Sequence, residues 1–384
     1  MTLKDIAHFV DDSISSDEID INQYVTTDSL LQNKEGRTFA SNLPPQLCNL
    51  THFKPGDVLV ANIRPYLKKV WKADIDGGCS KDVLVIRAKD NHEGNYIYAL
   101  SLQDSFYENA MLGNKGTQMP RGDKDKIMDF PIYGHEEDVE LKIGSLIDGI
   151  QKKISLNTRM NDELEAMAKQ LYDYWFVQFD FPDENGKPYK SSGGKMVYNE
   201  KLKREIPEGW DVKRIGDYAN IFTGKKDVSK VTPGDYLFFS CAPDPITSND
   251  YIYDGEVVLV SGNGSYTGRT TYYKGKCDLY QRTYACVLKE KYENYYPWFY
   301  QYMKNYFEPH YSGGKHGSAI PYIILSDLTD SIIVSRNDII KLYSEKVRSI
   351  FNQIYVNHYQ IIPELTQLRD SLLPMLMNGQ VTVE

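Results

Sequence analysis

A chain of 384 residues is long enough for two globular domains, each with its own core. Hydrophobic residues make up 41% and charged residues 25%, and no apolar run approaches the ~18 residues of a membrane-spanning helix, so we expect no membrane partner. The net charge of −9 argues against a uniformly basic nucleic-acid binder, so any phosphate-binding site must be a local basic patch.

The five cysteines are scattered along the chain, and no two of them have the spacing Cys-x-x-Cys. This pattern disfavours both a disulfide framework and a structural zinc site. Residues 1–12 carry acids and no long apolar stretch, unlike a signal peptide. Free thiols without a secretion signal are typical of a reducing compartment, so we expect a cytoplasmic protein.

The first predicted domain covers residues 1–138 and consists of short β-like runs bounded by Gly, Asp and Asn. Clear runs lie at residues 58–60 and 83–86, and a helical stretch is predicted near residues 96–107. This alternation predicts a mixed α/β domain, which we call the first arm.

A long helix is predicted next, over residues 139–180. Its apolar residues follow a 3-4-3 spacing that ends on an asparagine, which is typical of a seam between two packed helices. The seam consists of Ile147, Ile150, Ile154 and Asn157. Pro, Gly and Ser are concentrated just after this helix, so residues 181–209 are predicted to be a linker.

The second half of the chain repeats this order. Residues 210–336 form the second arm, with β-like runs at 257–260 and 284–288 and a helical stretch near 297–307. A second long helix is predicted over residues 337–384, with the same 3-4-3 spacing. Its seam consists of Val347, Ile350, Ile354 and Asn357.

Matched motifs indicate that the two halves are an internal repeat. Residues 3–7 match residues 215–219 at an offset of 212. Residues 56–60 match residues 255–259 at an offset of 199, and residues 116–120 match residues 317–321 at an offset of 201. The smaller later offsets imply an insertion in the first arm, for which the Pro- and Asn-containing residues 32–50 are the natural place.

The predicted fold class is α+β, with two mixed α/β domains in an internal two-fold repeat. We expect the two long helices to pack against each other, because each stands at the end of its repeat. The alternative is that they are ordinary amphipathic helices that pack on separate cores.

Two basic patches with interleaved aromatic residues are candidate phosphate-binding sites in a chain whose net charge is negative. Residues 61–72 contain four Lys or Arg residues and no acid, with Tyr66 and Trp71 between them. Residues 262–284 contain four basic residues against one acid, Asp278, and five tyrosines. Lys and Arg offer charge to phosphates, and Arg also binds guanine with two hydrogen bonds. The alternative is solvated charge at strand edges.

Two loops, residues 113–118 and residues 313–318, combine glycines with a lysine and a hydroxyl residue. Such loops bring backbone N–H groups close to phosphate, although a plain turn is the alternative. The candidate DNA-binding residues of the first arm are therefore Arg64, Tyr66, Lys68, Lys69, Lys115, Gly116, Thr117 and Gln118. Those of the second arm are Ser265, Tyr266, Thr267, Arg269, Arg282, Lys315, His316 and Ser318.

Catalytic and metal-binding signals are weak. Residues 262–268 resemble a dinucleotide-binding glycine loop, but the third glycine is displaced and a strand-like segment follows in place of a helix. The seven histidines form no cluster with metal-ligand spacing. We expect no catalytic residues, no bound metal and no cofactor on this chain.

The order of arm, helix, linker, arm and helix resembles the specificity subunits of type I restriction–modification systems. The most specific part of the resemblance is residues 171–182 with the motif Ile206-Pro-Glu-Gly-Trp210, and residues 263–269 and 368–374 add to it. The resemblance covers essentially the whole chain. The first arm departs from it, because that arm begins almost directly at Leu3 without an Ile-Pro-x-Gly-Trp start.

The resemblance implies a non-catalytic, sequence-specific DNA-binding subunit whose two arms are target-recognition domains for a bipartite site in double-stranded DNA. It also implies that the long helices form an antiparallel coiled coil. The implied partners are two methyltransferase subunits, which bind S-adenosylmethionine and modify adenine, and motor-nuclease subunits. The alternatives are a specificity protein of a methylation-only or related defence system, a self-contained DNA methyltransferase or nuclease, and a general interaction scaffold.

Overall fold

A computed structural model describes residues 1–112, 119–311 and 321–383. The chain divides into two compact units, Met1–Arg159 with Asn357–Glu384, and Met160–Val356. The first unit therefore contains the first arm, and the second unit contains the second arm. The long helices, predicted as separate regions, are shared between the two units.

The first arm contains two four-stranded sheets, with strand orders β1-β8-β5-β6 and β2-β4-β7-β3. The strands are β1 (Ala7–Phe9), β2 (Ser13–Ser15), β3 (Tyr24–Val25), β4 (Asn49–Phe53), β5 (Val58–Ala61), β6 (Val70–Lys72), β7 (Gly77–Cys79) and β8 (Val83–Ala88). The helices of this unit's first segment are α1 (Leu3–Ile6), α2 (Gly94–Ser101), α3 (Asp104–Ala110), α4 (Lys124–Met128) and the start of α5 (Glu137–Tyr172).

Strand β5 is apolar throughout because both of its faces are buried. Val58 and Val60 point into the core that contains α2 and α3, while Leu59 and Ala61 point into a second core on the opposite face. Successive side chains of a strand point to opposite faces, so a strand covered on both faces is apolar throughout.

The second arm has one six-stranded sheet with the order β12-β17-β15-β16-β13-β14, together with the pairs β9–β10 and β11–β18. The strands are β9 (Met196–Asn199), β10 (Arg204–Pro207), β11 (Asp211–Arg214), β12 (Ala219–Thr223), β13 (Tyr236–Phe239), β14 (Ile246–Ser248), β15 (Tyr253–Ser261), β16 (Thr270–Leu279), β17 (Thr283–Leu288) and β18 (Ile332–Ser335). The helices are α6 (Ile215–Tyr218), α7 (Tyr296–Tyr311), α8 (Leu325–Thr329) and α9 (Asn337–Val356), and α10 (Ile362–Met377) belongs to the first unit.

The strand registers define the repeat residue by residue. In the first arm Val58 pairs with Lys72 and Ile86, and in the second arm Val258 pairs with Tyr272 and Cys286. The offset in this region is therefore 200, so the predicted offset of 199 was wrong by one residue. A short run of Val and Leu looks much the same after a shift of one, but that shift exchanges the two faces of the strand.

The outer parts of the repeat match as predicted. Leu3 N donates to Phe130 O at 2.9 Å, and Ile215 N donates to Ser331 O at 2.9 Å. Each bond joins the start of an arm to the segment that follows its last short helix. The internal two-fold repeat is confirmed.

Contacts within each unit show that the helices run antiparallel. In the first unit, Ile143 and Ile147 near the start of α5 share a core with Leu373 and Leu376 near the end of α10. In the second unit, Tyr343 near the start of α9 donates from its hydroxyl to Ala168 O of α5 at 2.9 Å. The antiparallel coiled coil of the predicted fold class is confirmed.

The predicted seam residues differ in burial. Five of them are buried, namely Ile147, Ile150, Ile154, Val347 and Asn357. Ile350 and Ile354 are half-buried. Asn157 is half-buried too, and its amide donates to Lys153 O of its own helix at 2.8 Å. Another asparagine, Asn161, reaches the other helix, because its amide donates to Ile354 O at 3.4 Å.

The segment predicted as a linker is folded against the second arm. Phe181 is buried and stacks on Tyr189 with ring centroids 4.7 Å apart, and Trp210 lies 5.1 Å from the same ring. The carboxylate of Asp180 accepts from Ser191 N at 2.7 Å and from Ser191 Oγ at 2.5 Å. The Gly- and Ser-rich composition therefore marks tight turns around an aromatic cluster.

Candidate nucleic-acid interface

Residues 62–69, which we call the first recognition turn, connect β5 to β6. Arg64 and Lys68 flank a short 3-10 turn, Pro65–Leu67, and both have left-handed backbone conformations with φ of 53° and 51°. Arg64 N donates to Pro120 O at 2.8 Å, which ties the turn to the segment after the first candidate loop. Tyr66 projects from the turn and is 51% exposed.

Residues 262–269, the second recognition turn, connect β15 to β16. Glycines occupy the two left-handed positions, with φ of 85° at Gly264 and 87° at Gly268. Thr267 is buried, and its hydroxyl lies 2.7 Å from Gly264 O and 2.9 Å from Pro321 O. Tyr266 is 48% exposed.

The two turns share a closing hydrogen bond and two left-handed positions despite their different sequences. Ala61 N donates to Lys69 O at 3.1 Å, and Ser261 N donates to Arg269 O at 2.9 Å, so both turns close at the same place. Glycine adopts the left-handed region without penalty, whereas Arg64 and Lys68 bear a steric cost there. Strained backbone conformations cluster at functional sites, so this strain indicates that the turn has a functional role.

Three of the candidate cations bind within the protein. Lys68 pairs with Asp104 at 2.9 Å, and Lys69 Nζ donates to Thr27 O at 2.6 Å. Burial lowers the pKa of Lys69. Arg269 Nη1 donates to the carbonyls of Ala242 and Pro243 at 3.0 and 2.5 Å. These side chains hold the turns in place.

Two candidate arginines are available to a ligand. Arg64 and Arg282 are exposed, and within residues 1–112, 119–311 and 321–383 neither guanidinium forms a hydrogen bond or an ion pair. Arg282 O accepts from Gly262 N at 2.8 Å, so this residue lies beside the second recognition turn. Ser265 is also exposed. Each arm therefore presents a half-exposed tyrosine and one unpaired arginine.

The equivalent of Arg282 in the first arm is an acid. Asp82 O accepts from Asn62 N at 2.8 Å, as Arg282 O does from Gly262 N, and the Asp82 carboxylate pairs with Arg121 at 3.0 Å. Arg121 and its counterpart Tyr322 lie beside the turns through bridges to Ile63 and Asn263. Arg121 and Tyr322 were missed from the sequence, although each stands next to the matched prolines Pro120 and Pro321.

The remaining candidates lie outside the described residues. They are Lys115, Gly116, Thr117 and Gln118 of the first arm, and Lys315, His316 and Ser318 of the second arm. The described ends of both segments approach the recognition turns, because Pro120 and Pro321 contact them directly.

Exposed tyrosine rings beside unpaired guanidinium groups can pack on bases or sugars and donate to base edges or phosphates. All five cysteines are described and are free thiols. In the described ranges no three or more His, Cys, Asp or Glu residues are grouped so as to hold a metal ion. No helix among the described residues combines the length and apolar character needed to cross a membrane.

Comparisons with known proteins agree with this architecture. Residues 207–334 match the family model described as type I restriction modification DNA specificity domain. The fold is similar to that of the S subunit of a type I restriction-modification system from M. genitalium, with a TM-score of 0.60 and 13% identity over 98% of this chain and 95% of that one.

Curated relatives extend the similarity along the chain. The type I restriction enzyme MjaIX specificity subunit of Methanocaldococcus jannaschii is 26% identical over 88% of this chain and 80% of its own length. The EcoDI specificity subunit of Escherichia coli is 30% identical over 47% of this chain and 40% of its own length. The resemblance drawn from the sequence is confirmed: the chain is similar to specificity subunits of type I restriction–modification systems, in the second arm by the family model and along most of its length by a curated relative.

Proposed function

We propose that this chain is the non-catalytic DNA-recognition subunit of a type I restriction–modification complex, and that each arm reads one half of a bipartite site in double-stranded DNA. The observation that carries the proposal is the matched pair of recognition turns. Two different sequences build turns with the same closing hydrogen bond and the same left-handed positions, and each presents a tyrosine that is about half exposed, 51% for Tyr66 and 48% for Tyr266.

The turns are held rigid from within, which is what sequence readout requires. Lys68, Lys69 and Arg269 are bound to acids or carbonyls of their own arm and so fix the turn before any DNA arrives. The exposed guanidinium groups of Arg64 and Arg282 are free to bind base edges or phosphates. A pre-organised site loses less entropy on binding than one that must be ordered first.

The partners and the cofactor follow from the same proposal. Two methyltransferase subunits bind the chain and carry S-adenosylmethionine, motor-nuclease subunits complete the complex, and the assembly works in the cytoplasm. The first long helix and the turn that follows it supply a candidate docking surface, because the apolar side chains of Met167 and Tyr174 are 57% and 36% exposed. Partner subunits also add phosphate-binding surface, which makes the net charge of −9 compatible with DNA binding.

The test is to express the full chain with its methyltransferase partner and to map methylated adenines across a genome. Arg64→Gln is expected to relax or abolish one half of the methylated site and Arg282→Gln the other half. Loss of a base-edge contact costs about 1–3 kcal/mol and affects only the position that is read.

Lys201→Gln, in the exposed end of the β9–β10 hairpin, is the control and should leave the methylated site unchanged. Unaltered methylation in both arginine variants would exclude these side chains as DNA contacts. S-adenosylmethionine binding by the isolated chain would favour a self-contained methyltransferase. Site-specific methylation without restriction would identify a methylation-only system.

A further inference from the structure

A buried series of polar contacts runs from the long helices to the first recognition turn. Arg369 of α10 is 3% exposed, and its Nη1 donates to Gln151 Oε1 of α5 at 2.7 Å. Gln151 is 4% exposed, and its Nε2 donates to Lys34 O at 3.0 Å. Lys34 N donates in turn to the carbonyl of Lys68 at 2.9 Å. Lys68 is the left-handed residue that ends the 3-10 segment of the turn.

Asp104 also connects Lys34 with Lys68, at the end of the series nearest to the turn. The carboxylate of Asp104 forms one ion pair with Lys34 Nζ at 2.7 Å and another with Lys68 Nζ at 2.9 Å. Burial alone would raise the pKa of Asp104, but the hydrogen bonds from Lys34 and Lys68 outweigh burial and lower it. The carboxylate therefore stays ionised near neutral pH and locks both lysines.

The second arm has an aromatic side chain at the equivalent position of its helix. The position equivalent to Gln151 is Phe351, which is buried and lies 4.4 Å from the ring of Tyr272. An apolar side chain is thus compatible with this point of the helix. Buried polar groups cost free energy unless each is paired, but their hydrogen bonds are directional and specify one geometry.

We propose that Arg369 is a positioning residue for DNA readout by the first arm. It acts through Gln151 and Lys34, which set the height and orientation of the turn that carries Arg64 and Tyr66. Arg369 is buried and does not itself contact DNA. The inference rests on the proposed function, and it assigns a role to the Arg of the motif at residues 368–374.

The test uses the full chain with its methyltransferase partner and duplexes with single-base changes in one half-site at a time. Arg64→Gln first identifies the half-site that belongs to the first arm. Arg369→Met is then expected to lower discrimination at that half-site by at least about 5-fold, the lower end of a lost base contact. Discrimination at the other half-site should stay within about 2-fold of the wild type, because mismatch costs at well-separated positions are roughly additive. Arg369→Lys, which keeps a donor for Gln151, should retain most of the wild-type discrimination.

Two further variants keep the result interpretable. Lys169→Met removes the cation at the equivalent place of α5, where Lys169 is exposed and pairs with Asp173, and should change neither half-site. If Arg369→Met fails to fold, the double variant Arg369→Met with Gln151→Met removes both partners and leaves neither side chain unpaired in the core.

A folded double variant that reads the first half-site like the wild type overturns the proposal. Equal losses at both half-sites overturn it too, since they indicate general destabilisation. A wild-type complex with no sequence preference would instead refute the proposed function itself, so the two failures are distinguishable.

Discussion

The two arms meet their helices at the same strand position through opposite chemistry. Lys72 of β6 pairs with Asp148 of α5 at 2.5 Å, and Asp148 is 6% exposed. Tyr272, which the strand registers align with Lys72, packs its ring 4.4 Å from that of Phe351 on α9. One junction is a buried ion pair and the other is an aromatic contact.

The difference shows that the fold requires a filled contact here and not a particular chemistry. An aromatic pair is stabilised by the area that it buries. A buried ion pair must first overcome the cost of dehydrating two charges. Removing one partner therefore costs more stability than replacing both partners by apolar side chains, because the remaining charge is buried and unpaired. The first junction should therefore depend on pH, and the second should depend mainly on the shape and area of the packed rings.

The largest effect is expected at the aromatic junction. Phe351→Ala removes a side chain that is 9% exposed and packs on both Tyr272 and Tyr300, and should destabilise the second unit by about 3 kcal/mol. Hydrogen exchange read by mass spectrometry reports each unit separately. The exposed Leu342→Ala on the same helix is the control. Equal loss of protection in the first unit would show that the junction is not local.

The ionic junction should show a smaller, pH-dependent effect. Burial alone would raise the pKa of Asp148, but hydrogen bonds from Lys152 and Lys72 outweigh burial and lower it. A lowered pKa stabilises the fold above the unfolded value of about 3.9, and that stability is lost as the pH falls through the folded value. Asp148→Asn should cost about 2 kcal/mol at pH 7, less than a fully buried pair because Asn95 still contacts Lys72.

Urea unfolding at several pH values measures this difference between wild type and Asp148→Asn. The difference in stability should begin to shrink as the pH falls below about 3.9 and should disappear only below the lowered pKa of Asp148. A difference that does not change with pH would mean that Asp148 acts through packing and not through its charge.

The smallest effect concerns the recognition turns. Gly264→Ala places a side chain at φ 85° with no heavy atom within 4 Å of the added Cβ, so the only cost is backbone strain of about 1 kcal/mol. Gly149→Ala makes the same change in the exposed, helical part of α5 and should be stabilising. If Gly264→Ala is as stable as the wild type, the left-handed conformation that Arg64 shares is not strained.

Much of the architecture follows from one-dimensional patterns. The apolar runs at residues 58–60 and 284–288 are strands β5 and β17, and the 3-4-3 spacing lies on two long helices. Patterns of this kind express which face of an element is buried, and burial is the main constraint on both strands and helices. The register of the repeat was missed by one residue, because a run of Val and Leu carries no mark of which residue faces which core.

The site was only partly predictable. Charge and interleaved aromatics placed Tyr66, Tyr266, Arg64 and Arg282 among the candidates, and the structure exposes all four. The same signal could not separate them from Lys69 or Arg269, whose charges are used by carbonyls far away in the chain. A basic residue looks the same in sequence whether its partner is a ligand or the protein's own backbone.

By itself the sequence determined the repeat, the order of arms and helices and the two basic patches, since periodicity and composition are local properties. Only the tertiary structure decided that the amide of Asn161 reaches the other helix and that the amide of Asn157 bonds within its own helix. It also joined Arg369 to Gln151, 218 residues away, and Gln151 to Lys34. Hydrogen bonds form between groups that the folded chain brings within about 3 Å, and no spacing along the chain encodes that meeting.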